Sequence, residues 1–281
     1  MFERCPDMRL YRFALLGFLL CATLGCRSTK IAPPVVERPE FARYYEEAGV
    51  EGTFVLYDLQ HNIYLIHNPT RVDTRQIPAS TYKILNSLIA LETGAVADEN
   101  EVIPWDGVER AIEPWNRDHT MRSAIQVSAV PFYQEVARRI GQKRMNEWVK
   151  RVGYGNEDTG GGLDQFWLSG NLRISPREQV DFLARLHRGD LPFSQRSIDI
   201  VKDILAQERT DTYVLRGKTG WSDSFQPEVG WYVGYVVREG NAYFFANNID
   251  IRKNEDAAHR AGIARRILAD LGLIDITPPN K

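Results

Sequence analysis

The chain has 281 residues, 43% of them hydrophobic and 26% charged, with a formal net charge of −2. This is an ordinary globular composition, long enough for one domain or two intertwined lobes with ample core. Near-neutral charge without a basic run leaves no footprint for nucleic acid, and Arg265-Arg266 reads as the solvated face of a helix. The three cysteines, Cys5, Cys21 and Cys26, all lie within the first 26 residues, so the remainder has no disulfide and no thiolate metal site.

Arg4, Arg9 and Arg12 precede an almost unbroken apolar run over residues 13–24. The run is short for a transmembrane helix and fits a signal-peptide core, which predicts export to the periplasm. It ends in Ala22-Thr23-Leu24-Gly25-Cys26, which resembles a bacterial lipoprotein cleavage box, although Thr23 stands where that box usually has Leu. Lipidation of Cys26, tethering the protein to the membrane, and ordinary cleavage around Gly25 are the two alternatives. The expected organisation is a signal peptide over 1–25, a proline-containing tether over 26–39 and a folded domain over 40–275.

The folded part begins with a short helix over 40–48 and a hairpin of strands 52–57 and 63–66. A helix opened by Ser80 comes next, with Ile84, Leu85, Leu88, Ile89 and Leu91 apolar almost all round and Gly94 as its stop, so it is expected to be buried inside the domain. Residues 94–125 read mostly as loop, and 131–152 as one amphipathic helix. Helices over 176–186 and 194–205, strands over 213–218, 229–237 and 242–249, and a helix over 255–271 complete the chain. This order predicts an α+β fold: an antiparallel sheet completed by both ends of the chain, flanked by helices, with a mostly helical lobe inserted and a cleft between them.

Ser80 and Lys83 are the centre of the chemistry. Their spacing stacks both side chains on one face of a helix, a turn apart. Apolar walls disfavour an ammonium there, and a neutral lysine beside a hydroxyl is a base beside a nucleophile. Ser-x-x-Lys alone is weak, because a chain of this length holds about one by chance. Three further stretches add weight to it: Ser128-Ala129-Val130 before a helix, with a hydroxyl that could relay protons; Tyr154-Gly155-Asn156; and Lys218-Thr219-Gly220 at a strand end, where Gly220 permits close approach of a ligand. The five histidines, His61, His67, His119, His187 and His259, show no metal-ligand spacing and read as surface or loop residues.

With Pro78-Ala79-Ser80-Thr81-Tyr82-Lys83-Ile84, Ser128-Ala129-Val130-Pro131-Phe132-Tyr133-Gln134, Tyr154-Gly155-Asn156, Gln165-Phe166-Trp167-Leu168 and Lys218-Thr219-Gly220-Trp221 in this order, the chain resembles the class D, or oxacillinase-type, serine β-lactamases. The resemblance runs over about 40–272, and Tyr82 stands where that family more often has Phe. It implies a β-lactamase/transpeptidase-like (DD-peptidase) fold and hydrolysis of β-lactams through an acyl-enzyme on Ser80. By the same resemblance Lys83 is carboxylated by carbon dioxide or bicarbonate to N6-carboxylysine and acts as general base, with no other cofactor and no metal. Trp167 would donate its indole N–H to that carbamate. Ser128 would relay a proton, and the backbone N–H groups of Ser80 and Trp221 would form the oxyanion hole. Lys218, Thr219 and Arg260 would bind the substrate carboxylate, with Gly220, Trp221, Val130 and Leu168 as further substrate contacts. A β-lactam-acylated sensor, or a transpeptidase-like penicillin-binding protein with little turnover, is the competing reading on this fold. No pattern in the chain fixes an oligomeric state.

Overall fold

The computed structural model describes residues 32–275, so the signal-peptide and Cys26 expectations lie outside the described residues. In chain order the elements are β1 (Val35–Glu37), α1 (Ala42–Ala48), β2 (Gly52–Asp58), β3 (Ile63–His67), α2 (Pro69–Val72) and a 3-10 turn, Ala79–Tyr82, running into α3 (Lys83–Glu92). Then come α4 (Met121–Gln126), α5 (Val130–Ile140), α6 (Gln142–Val152), α7 (Pro176–Arg188), α8 (Gln195–Ile204), β4 (Ala206–Arg209), β5 (Tyr213–Ser222), β6 (Glu228–Arg238), β7 (Asn241–Ile251) and α9 (His259–Asp270).

The strands form a seven-stranded sheet in the order β1-β3-β2-β7-β6-β5-β4. Pairing of β2 with β7 joins the two ends of the chain, as the element order predicts. One face of the sheet buries Phe54, Phe245 and Ile249 against Tyr45 of α1 and Ile263 and Leu268 of α9. The opposite face carries α7 and the helical lobe, where one continuous core includes Leu85, Leu88, Tyr133, Val136, Trp167, Leu183 and Trp231. Residues Lys83 to Leu91 of α3 are all buried, because α5 and α8 flank the helix and the 3-10 turn leading into it packs on β5. An all-round apolar helix is the sequence counterpart of that position.

Four expectations need correction. The sheet is mixed, since β1 runs parallel to β3, and β1 itself lies in the stretch expected to be a tether. The short strand β4 (Ala-Gln-Glu-Arg) falls between the expected elements; its residues lack β-preference, and it is a strand because it pairs with the edge of β5. The helix expected over 131–152 is two, separated at Gly141, whose φ of 81° and ψ of 152° break the helical path. The apolar spacing runs through this break, so periodicity cannot see it. Lastly, His119 is only 4% exposed, His67 ends β3, and His187 and His259 lie on helices rather than in loops.

Candidate active site

Ser80 sits in the 3-10 turn ahead of α3 rather than in the α-helix itself, and Ala79 before it adopts a positive φ of 48°. A residue with a Cβ is strained in that region, so the surroundings must hold it. They do so with buried hydrogen bonds. Thr81 Oγ1 donates to Pro78 O at 2.7 Å and accepts from Gln179 Nε2 of α7 at 2.7 Å. Tyr154 hydroxyl donates to Gln179 Oε1 at 3.3 Å, and Trp231 Nε1 donates to Ile77 O at 2.8 Å. Gln179 is not among the residues expected from the sequence, whereas Trp231 lies in Gly230-Trp231-Tyr232-Val233-Gly234, a stretch that also carries the family resemblance. The signal for Gln179 is a glutamine on the apolar stripe of an amphipathic helix, an amide that must find partners indoors.

Lys83 is fully buried, with Nζ 2.5 Å from Ser80 Oγ, 3.1 Å from Ser128 O and 3.2 Å from Ser128 Oγ. Burial pushes its amine well below the ordinary lysine value, and the positive charge of Lys218 adds to the effect. Lys218 Nζ approaches Ser128 Oγ from the other side at 3.0 Å and Thr219 O at 3.1 Å. Burial, and then Arg260, lower Lys218 to about 7. Ser128 hydroxyl therefore bridges two lysines, on a backbone with a positive φ of 56°. The expected Ser80, Lys83, Ser128 and Lys218 converge from three separate stretches of chain.

The edge of β5 supplies the next wall. Gly217 turns its N–H to Leu205 O at 3.0 Å and its carbonyl to Gln207 Nε2 at 3.1 Å, away from β6. Strand alternation carries the same outward direction to Thr219 and Trp221, so the Trp221 N–H points out of the free edge that faces the Ser80 turn. Gly220 serves a further purpose beside the one expected. A Cβ there would lie 3.1 Å from both Pro78 O and Thr81 Cγ2, so its missing side chain admits the Ser80 turn beside the cleft that Gly220 also lines. Arg260, at the start of α9, anchors Nη1 on Gly220 O at 3.0 Å and Nε on Ala257 O at 2.6 Å. Its guanidinium lies 5.4 Å from the Trp221 ring centroid, and its stem occupies space left free by Gly230, where a Cβ would meet Arg260 Cγ at 2.9 Å.

These walls enclose a cleft of about 620 Å³ lined by Ser80, Ser128, Val130, Leu168, Thr219, Gly220, Trp221 and Arg260, all expected from the sequence. Ile112, Trp115, Val127 and Ser222 line it as well and were not foreseen. Ser222 Oγ donates to Leu168 O at 2.8 Å and so ties the Trp167-Leu168 turn to β5.

Trp167 is fully buried, stacked on Tyr82 with ring centroids 5.4 Å apart at 26°, and Phe166 meets it edge-on at 5.0 Å. Its indole Nε1 has no hydrogen-bond partner among the described residues. An orphaned buried donor is rare and marks a missing acceptor. The Tyr82 hydroxyl, absent from a Phe, points to Met145 Sδ at 2.9 Å.

The sheet, the inserted lobe and a serine–lysine pair between them are the architecture of a penicillin-recognising domain, and residues 52–269 match the penicillin-binding protein transpeptidase domain. β-Lactamase OXA-5 of Pseudomonas aeruginosa is 42% identical over 250 residues, which cover 88% of this chain and 94% of that protein. β-Lactamase OXA-48 of Klebsiella pneumoniae is 39% identical over 89% of this chain and 94% of that protein. The crystal structure of the class D β-lactamase YbXI from Nostoc superposes with a TM-score of 0.83 at 48% identity, covering 84% of this chain and 100% of that one. The chain belongs to the class D β-lactamases.

Proposed function

We propose that this protein hydrolyses β-lactams through an acyl-enzyme on Ser80. The observation that carries the reading is the 2.5 Å approach of Lys83 Nζ, buried and depressed in pKa, to Ser80 Oγ at the floor of a cleft. Ser80 Oγ attacks the β-lactam carbonyl and gives its proton to the base on Lys83 as the new ester bond forms. The Ser80 and Trp221 N–H groups hold the developing oxyanion, donors worth about 3–4 kcal/mol each in such sites. As the ring C–N bond breaks, Ser128 Oγ passes a proton to the leaving nitrogen and takes back the one that the base on Lys83 accepted from Ser80. Lys218, Thr219 and Arg260 hold the substrate carboxylate. Water then attacks the ester and frees Ser80.

The base is read as a carboxylated Lys83. Only an unprotonated amine adds carbon dioxide, and burial favours that form. The carbamate anion would need buried donors, and the orphaned Trp167 indole fits that need. When present, it supplies the general base for both half-reactions. Residues 1–25 are read as a signal peptide, so the enzyme acts in the periplasm, either free or tethered through a lipidated Cys26.

Stopped-flow mixing with a chromogenic cephalosporin, with intact-mass spectrometry in parallel, tests the reaction. Sustained turnover that rises with bicarbonate is expected. One equivalent of product followed by a persistent acyl mass would replace this reading with that of an acyl-binding sensor or transpeptidase-like protein.

The two lysines also set a pH dependence. A carboxylate-bearing substrate needs Lys218 as the ammonium, and burial brings that group to about 7. Raising pH through this value removes the cation, so kcat/KM falls on the alkaline side. An anion on Lys83 favours the Lys218 ammonium across Ser128, so added bicarbonate moves the alkaline limb to higher pH. A pH–rate profile whose alkaline limb is unmoved by bicarbonate would separate Lys218 from the base on Lys83.

A further inference from the structure

The wall formed by Ile112 and Trp115 belongs to an excursion over residues 104–118, closed at its base by a backbone bridge between Ile103 and His119. Apart from the single 3-10 turn Glu113–Trp115, it has no helix or strand. Trp115 faces the 620 Å³ cleft on one side and a separate hollow of about 230 Å³ on the other, which Phe132 and His119 also line. Trp115 packs against the core of the helical lobe, but with a hollow on either side packing leaves its tilt loosely fixed, and hydrogen bonds complete its placement.

Two side chains make those bonds. Trp115 Nε1 donates to Val127 O at 3.0 Å, one residue before Ser128. His119, buried at 4% exposure, reaches Pro114 O through Nε2 at 2.9 Å and Ser123 Oγ through Nδ1 at 2.9 Å. A carbonyl only accepts, so Nε2 carries the hydrogen that reaches Pro114 O, while Nδ1 pairs with the Ser123 hydroxyl. The imidazole thereby bolts the turn carrying Trp115 to α4, the helix that leads directly to Ser128.

We propose that His119 is a positioning residue that sets the apolar wall of the cleft, and through it the affinity for the substrate's apolar side chain, without touching the reacting atoms. The affinity consequence rests on the β-lactamase reading; the latch itself does not.

The test compares His119→Ala and His119→Gln in the full chain with wild type. Gln keeps an amide N–H able to reach Pro114 O, whereas Ala leaves that acceptor and Ser123 without the ring. In His119→Ala, KM for a penicillin with a bulky acyl side chain should rise about tenfold, with kcat changed less than about twofold, and Gln should recover most of the loss. Hydrogen exchange of peptides spanning 104–118 should accelerate about tenfold in His119→Ala and return in His119→Gln, with α3 and β5 unaffected. Unchanged KM and exchange in His119→Ala would overturn the latch, as would an equal loss in His119→Gln or acceleration spread over the whole domain. A wild-type chain without turnover would defeat the hydrolase reading instead. The exchange comparison would then decide the latch alone, acceleration in His119→Ala supporting it and no change overturning it.

Discussion

Lys83→Ala is expected to lose steady-state hydrolysis of a chromogenic cephalosporin by about 10²–10⁴-fold, the range that a positioned proton-transfer group contributes. The fold should survive. Lys83 is fully buried and faces no carboxylate among the described residues; its amine meets Ser80, Ser128 and, at 5.7 Å, the Tyr133 ring. An ammonium there is costly, so removing it relieves the folded state even as the lost side chain leaves a cavity. The direction with pH comes from the depressed pKa. The burial cost is full below the folded pKa, diminishes as the folded amine deprotonates, and vanishes above the ordinary lysine value of 10.5. Thermal melts of Lys83→Ala against wild type should therefore show a relative gain that is larger near about pH 5 than near about pH 9. Near-normal turnover in this variant would sink the base assignment. A collapse of the melting temperature at every pH would show instead that Lys83 is a structural residue.

The second large effect belongs to Trp167. Trp167→Phe retains an aromatic ring against Tyr82 and Phe166 but deletes a buried indole donor that has no partner among the described residues. If that donor serves the carbamate, its loss removes a hydrogen bond to a charged group, worth about 1.5–3 kcal/mol, or about 10–100-fold in affinity for carbon dioxide. The variant should acylate, accumulate acyl-enzyme by intact mass, and recover turnover as bicarbonate is raised. Trp167→Ala should show the same dependence with a lower melting temperature, since truncating a buried tryptophan costs about 3–5 kcal/mol. Full turnover of Trp167→Phe without bicarbonate would reduce Trp167 to packing. The two variants separate the roles: loss of stability tracks the ring, and bicarbonate dependence tracks the N–H.

Features that depend on local spacing were legible in the chain before any fold was known. Ser80 and Lys83 meet because three residues span about one turn, and Nζ comes to 2.5 Å from Oγ although the turn is 3-10 rather than α. The burial of α3, the amphipathic helices and the long strands β5, β6 and β7 arise from periodicities of single segments. The ordered motifs named the right family, and with it Ser128, Val130, Leu168, Thr219, Gly220, Trp221 and Arg260 of the cleft, though not Ile112, Trp115, Val127 or Ser222.

Features that need two distant stretches at once exist only in the folded molecule. Val35–Glu37 and Ala206–Arg209 are strands because a sheet edge offers them partners. Gly220 is small because the Pro78–Thr81 turn presses against it. Ser222 and His119 bond Leu168 O and Pro114 O, and nothing in their own neighbourhoods distinguishes them from any other serine or histidine; for Gln179 the helix stripe marks the burial but not its partner Thr81. The depressed lysines and the orphaned Trp167 indole are consequences of desolvation, the sum of what surrounds a group in space. Sequence spacing reports a group's neighbours along the chain; the free energy of a charge or a donor depends on its neighbours across the fold.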